Sequence, residues 1–122
     1  MPDLRQHLGR VGEQLALEHL ERLGYALVAR NHRTRFGELD LVVCDGSALV
    51  FVEVKTRRAA RPGRPWESLH AAKRTQVRRM AAAFLAEVPG RPHADELRFD
   101  AVGVTIDAHG QLVALEHLEG AF

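Results

Sequence analysis

One cysteine, one tryptophan, one tyrosine and no long apolar run remove whole classes of protein from consideration for this 122-residue chain. Cys44 has no partner for an internal disulfide, which fits a reducing compartment and makes the cytoplasm the expected location. It lies in the apolar run Leu41–Cys44 and reads as a small core hydrophobe rather than a reactive thiol. No window approaches the length of a membrane span. The first residues, Met1-Pro2-Asp3-Leu4-Arg5, lack the apolar stretch of an export signal, so a soluble, unexported protein with no membrane partner is expected. The seven histidines are scattered without zinc spacing and are expected mostly at the surface. Internal repeats, a Walker or dinucleotide glycine pattern and a nucleophile elbow are all missing.

Net charge is also small, at +1, but it is unevenly spread. Residues 30–79 hold 12 Lys/Arg against 5 acids, whereas residues 80–122 hold 2 against 7. The middle of the chain therefore carries a positive field. A basic surface around embedded acids suits a polyanion held over metal ions; a solvated basic face is the plainer alternative.

What is present is a single domain's worth of alternating elements. Leu4, Leu8, Val11, Leu15, Ala16, Leu20 and Leu23 recur at helical steps, so residues 4–23 form a helix with Asp3 as its cap and Gly24 as its stop. Gly9 and Gly12 weaken that helix, which points to close packing against a sheet. Glu13 lies at the margin of its apolar stripe and could face a cleft. Residues 25–30 read as a short strand, followed by a polar connection over 31–37. Strands are expected at about 38–44 and 48–56, joined by a hairpin at Asp45-Gly46. A basic loop follows over 57–65, then Trp66. A helix over 68–88, capped by Ser68, buries Leu69, Ala72, Val77, Met80, Ala81, Phe84, Leu85 and Val88. Strands over 97–106 and 111–118 complete the order αβββαββ. The expected fold is α/β, with a mixed five-stranded central sheet flanked by helices.

Acids inside the two central strands are the chemical signal. A lone buried charge costs several kcal/mol even after relaxation, roughly, so Glu38, Asp40, Glu53 and Lys55 need partners, a metal or a wet rim. Residues i and i+2 of a strand share a face. That alternation puts Glu38, Asp40 and Val42 together on one strand and Phe51, Glu53 and Lys55 together on the next. A two-residue loop sets Asp40 opposite Phe51 and diagonal to Glu53; a four-residue loop sets Asp40 directly opposite Glu53. Either register brings the two carboxylates to roughly 5–8 Å at Cβ. Such like charges need something positive between them: Lys55 in part, and a divalent cation for the rest.

Two oxygen ligands can hold Mg²⁺ or Mn²⁺ and leave positions for water and phosphate. Lys55 can then orient that water or stabilise developing charge, and Glu13 can reach the outer water. Arg33, Arg35, Arg57, Arg58, Lys73 and Arg74 are the candidate phosphate contacts. The cations of the second helix crowd its first half, where the macrodipole disfavours them, which suggests a use. Glu38 and Gln76 are candidate supporting residues. Glu38 could instead pair with an arginine from 33–35.

These residues resemble a known pattern. Asp40 and Glu53-Val54-Lys55 are similar to the paired motif of the PD-(D/E)XK nuclease superfamily, with Leu39 where a proline often stands. Gly12-Glu13, Gly24-Tyr25, the run Asn31…Arg33-Thr34-Arg35-Phe36-Gly37-Glu38-Leu39-Asp40-Leu41 and Leu49 to Arg57 resemble the YraN family of small, endonuclease-like bacterial proteins. Lys73, Arg98-Phe99-Asp100 and Ala121-Phe122 extend the likeness nearly end to end. The resemblance implies a restriction-endonuclease-like core. Archaeal Holliday junction resolvases look like the nearest functional model, with Glu13, Asp40, Glu53 and Lys55 as the matching catalytic set. Those enzymes are dimers that cut two strands, so branched DNA and a second copy of the chain are the partners implied. Three functions fit: a Mg²⁺-dependent endonuclease, a non-catalytic nucleic-acid binding module on the same fold, or a scaffold in which Glu53 and Lys55 form a structural ion pair.

Overall fold

Alternate residues along one central strand bury against two different helices. Ala48, Val50 and Val52 join Ala16, Leu17 and Leu20 in one apolar cluster. Leu49 and Phe51 join Val77, Met80, Ala81 and Phe84 in another. A strand covered on both faces reads as a continuous apolar run, and Ala48 to Val52 is one. The computed structural model describes residues 4–60 and 71–122. Its elements are α1 (Leu4–Arg22), β1 (Ala26–Thr34), β2 (Gly37–Cys44), β3 (Ala48–Arg58), α2 (Ala71–Glu87), β4 (Glu96–Ile106) and β5 (Leu112–Leu118). The strands lie side by side in chain order. β3 and β4 are parallel and the other neighbours antiparallel, giving a mixed five-stranded sheet. The parallel step needs a crossover, and α2 lies in it.

The expected element order holds; most boundaries shift by a single residue, and two strands are longer than expected. β1 continues through Thr34 instead of ending at Arg30, pairing Arg33 with Glu38 and Thr34 with Gly37. Its second half is polar because β1 is an edge strand with one side open to water. β3 runs on through Arg57 and Arg58, which pair with Thr105 and Ile106 and so are not loop residues. β5 begins at Leu112. The caps expected at Asp3 and Ser68, Trp66 and residues 61–65 of the basic loop lie outside the described residues.

The β2–β3 register is that of the four-residue loop: Cys44 pairs with Leu49 and Leu41 with Val52. Asp45 sets it locally, accepting hydrogen bonds at Oδ1 from the Ser47 and Ala48 amides at 3.0 and 2.9 Å. This side-chain turn extends the Asp45-Gly46 signal by two residues.

Gly12 fixes how α1 meets the sheet. It is buried, and a Cβ there would run into the side chain of Thr56 on β3. Gly9, by contrast, has nothing within 4 Å of such a Cβ. The helix thus crosses β3 on Gly12, and the next residue, Glu13, arrives at the end of β2 and β3. Gly12→Ala is expected to cost about 1–3 kcal/mol by overpacking, read as a lower urea midpoint. The same substitution at Gly9 should leave the midpoint unchanged or raise it, since Ala is the better helix former.

Candidate active site

Strand alternation fails at one residue of β2, and that residue is Asp40. Leu41 and Val43 pack with α1, and Val42 with α2, as alternation requires. Leu39 should follow Leu41 but packs with α2. Glu38 should lie with Asp40 and Val42, yet it meets Glu13's neighbour Asn31 on the α1 side. The expected shared face of Glu38 and Asp40 is therefore corrected: the phase changes between Leu39 and Leu41. Asp40 is left pointing toward neither core. Its Oδ2 accepts the Val54 amide of β3 at 2.8 Å, taking a backbone donor that a regular ladder would give to β2.

Glu53 stands beside it. It is 5% exposed and lies on the α2 side. Lys73 Nζ of α2 reaches its Oε2 at 3.0 Å. Its Oε1 is buried with no hydrogen-bond partner among the described residues. Burial, the Glu53 charge and Glu13 push Asp40 up to about 8, while the Val54 amide and Lys73 oppose them. Burial and the Glu13 charge also raise Glu53, while Lys73, and Asp40 when its own carboxyl is protonated and can donate, pull it back. The cation that meets Glu53 is thus Lys73, a residue expected to contact phosphate. Lys55 is exposed and, with Val54 packed toward α1, shares Glu53's side of β3.

Glu13 comes from α1 and is tied rather than free. Asn31 Nδ2 donates to Glu13 Oε1 and to Glu38 Oε1, each at 3.0 Å. Arg33 pairs with Glu38 Oε2 at 3.4 Å. A groove of about 290 Å³ opens beside them, lined by Gln6, Arg10, Glu13, Asn31, Arg33 and Glu38. Among the described residues no three acids, histidines or cysteines converge as a ready metal cage. What exists is a pair of carboxylates, one with an unpartnered buried oxygen.

The remaining basic candidates surround this end unevenly. Arg35 is exposed and lies 4.7 Å from the Phe36 ring, with Arg79 on the same ring at 5.9 Å. Arg58 and Arg74 are exposed, at the end of β3 and the start of α2; Arg57 is half-buried where β3 pairs with β4. Gln76 donates to the Phe36 carbonyl at 2.9 Å. It anchors the β1–β2 turn where Gly37, at φ 134°, leaves no room for a Cβ against Gln76 Nε2 and Met80 Sδ.

A second polar cluster, to which no motif in the sequence assigns a role, lies on the α1 side. Asp100 is fully buried. It accepts from Arg98 Nε and from Arg98 Nη2 at 2.9 Å each, from His117 Nε2 at 2.8 Å and from the Gly120 amide at 3.1 Å. Arg98 also donates to the Tyr25 hydroxyl, and His19 meets His117 Nδ1 at 3.2 Å. His117 is thus a half-buried member of this network and not a freely solvated surface residue. The sequence signal was an acid inside an apolar strand with an arginine two residues earlier on the same face.

A family model described as "Uncharacterised protein family UPF0102" matches residues 12–104. A UPF0102 protein of Pelotomaculum thermopropionicum is 43% identical over 122 residues, covering all of both chains. One from Frankia casuarinae is 48% identical over 116 residues, 94% of this chain and 95% of its own. Another, from Symbiobacterium thermophilum, is 45% identical over 109 residues, 89% and 91% of the two chains.

Proposed function

The chain belongs to the UPF0102 family, and we propose that it is a metal-dependent endonuclease that hydrolyses phosphodiester bonds of DNA, with branched DNA as the favoured form. The observation that carries this reading is Glu53 Oε1, a buried carboxylate oxygen with no hydrogen-bond donor among the described residues, set beside the second carboxylate of Asp40, where β2 changes phase. Unpaired buried polar atoms are rare and call for a reason. The donor set fits a hard cation that keeps most of its coordination for water and phosphate. Asp40 and Glu53 are the residues that would hold Mg²⁺ or Mn²⁺. When bound, such an ion supplies charge neutralisation at a phosphate and a more acidic water.

The chain's own groups do the rest. Lys55, on the open side of β3, orients the attacking water or meets the charge that develops on the phosphate. Glu13 holds water at the margin of the site. Lys73 balances Glu53 in the free protein and, one-third exposed, can turn to a phosphate instead. Arg33, Arg35, Arg58 and Arg74 give the surround the positive field that draws in a polyanion. By likeness to the PD-(D/E)XK superfamily and the YraN family, a homodimer in the cytoplasm completes the reading.

Two measurements test it together. Purified protein is screened for Mg²⁺-dependent cutting of single-stranded, duplex, flap and four-way DNA and of RNA. Mn²⁺ is titrated calorimetrically into the protein and into Asp40→Asn. The expected result is cleavage of at least one DNA form, and Mn²⁺ binding that weakens about tenfold or more when residue 40 can no longer ionise to a carboxylate ligand. DNA binding with no Mn²⁺ site would instead establish the non-catalytic binding module.

A further inference from the structure

We propose that Asn31 is a positioning residue for this site, a neutral clamp whose single amide holds Glu13 of α1 in place against the Asp40–Glu53 pair. The inference rests on the nuclease reading above and assigns a role to a residue that is neither a ligand nor a phosphate contact.

Three observations carry it. The first is register: Arg30 pairs with Leu41 and His32 with Leu39, so Asn31 lies directly across from Asp40. The second is backbone. Asn31 is the one non-glycine residue at positive φ among those described, at 50°. This region costs most residues about 1–3 kcal/mol, and Asn tolerates it best among side-chain-bearing residues. The irregularity thus falls on both strands at one rung, where β2 also changes phase. The third is chemistry. An amide nitrogen carries two hydrogens, and at 3.0 Å from Glu13 Oε1 and Glu38 Oε1 each has a carboxylate to itself.

The choice of an amide has a physical reason. Two acids brought to one point repel, and a lysine there would hold them but cancel the negative field a cation needs. Aspartate suits the backbone but adds a third repelling charge. Asparagine binds both acids and leaves their charge in place. Glu38 is fixed from its other side by Arg33, so the clamp ties the helix residue to an already anchored strand residue.

The test uses Asn31→Gly, which keeps the backbone conformation without strain and removes only the amide. Mn²⁺ alone is titrated calorimetrically into wild type, Asn31→Gly, Glu13→Gln and the double variant; single-turnover cleavage and urea midpoints are read on the same proteins. We expect Asn31→Gly to lose about tenfold or more in Mn²⁺ affinity and in kcat, the range for groups that orient ligands. KM for DNA and the urea midpoint should not worsen, and the double variant should lose no more than Glu13→Gln alone. Asn31→Asp, which accepts the same backbone, should lose cleavage to at least the same extent. A glycine variant that matches wild type in Mn²⁺ binding and kcat overturns the inference, as does a loss that adds to that of Glu13→Gln. A wild type that neither binds Mn²⁺ nor cuts any substrate marks the failure of the nuclease reading itself, and the clamp falls with it.

Discussion

Glu53→Gln is expected to lose about a thousandfold or more of Mg²⁺-dependent cleavage while its urea midpoint stays level or rises. The two halves follow from one placement. An ion at the reacting phosphate is worth several kcal/mol of charge stabilisation, and about 4 kcal/mol is a thousandfold in rate. Glutamine keeps the volume of Glu53 but not the charge that would hold the ion. Stability moves the other way because Glu53 is costly to the free protein. It is 5% exposed, one of its oxygens has no hydrogen-bond partner among the described residues, and burial raises it against the pull of Lys73. Removing one member of an ion pair is costly only where it strands the other in the interior, and sites kept for function commonly carry a stability cost. Lys73, one-third exposed, can return to water. Undiminished cutting by this variant would rule out the nuclease reading. A variant that still folds but loses about 3 kcal/mol would point to a structural ion pair, the arrangement a scaffold would keep.

Asp100→Asn should do the opposite, lowering stability by about 3 kcal/mol and leaving unchanged any Mn²⁺ binding at the proposed Asp40–Glu53 site. Removing one partner of a buried ion pair strands the other, at about 3–5 kcal/mol. The lower end applies because Arg98 keeps Tyr25 and has Glu119 at 3.8 Å. The wild-type protein carries a matching pH dependence. Burial alone would raise Asp100, but hydrogen bonds from His117, Arg98 and the Gly120 amide outweigh it and hold the acid at about 2. A carboxyl whose folded pKa lies below its unfolded value contributes stability above the unfolded value and loses it as pH falls through the folded one. The contribution, roughly 2 kcal/mol for a depression of nearly two pH units, should therefore disappear between about pH 4 and pH 2. Urea midpoints taken across that window should fall more steeply in wild type than in Asp100→Asn. Parallel profiles would show that the acid acts only by packing.

Much of this molecule is legible in its sequence. Helical spacing identified α1 and α2, and the uninterrupted run of β3 marked a central strand. Asp40 with Glu53-Val54-Lys55 could be singled out because charges inside apolar strands are expensive. The strands that run longer than expected are those where polarity misled: Asn31 to Thr34 looked like a connection because an edge strand need be apolar on neither side. Arg57 and Arg58 looked like loop because their strand runs beyond the core.

By itself, the sequence determined the order of elements, the two apolar faces and the identity of the acids at issue, since each follows from local periodicity and from the cost of burying charge. Only the tertiary structure decided who meets whom. Alternation is a local rule and cannot foresee the phase change at Asp40, which depends on β1 and β3 together. Lys73, twenty residues from Glu53 in the chain, becomes its partner because α2 lies across that face. Asn31 acquires two carboxylates because Gly12 lets α1 settle close to β3. Contacts between distant segments are set by how faces pack, and packing is a property of the assembled layers.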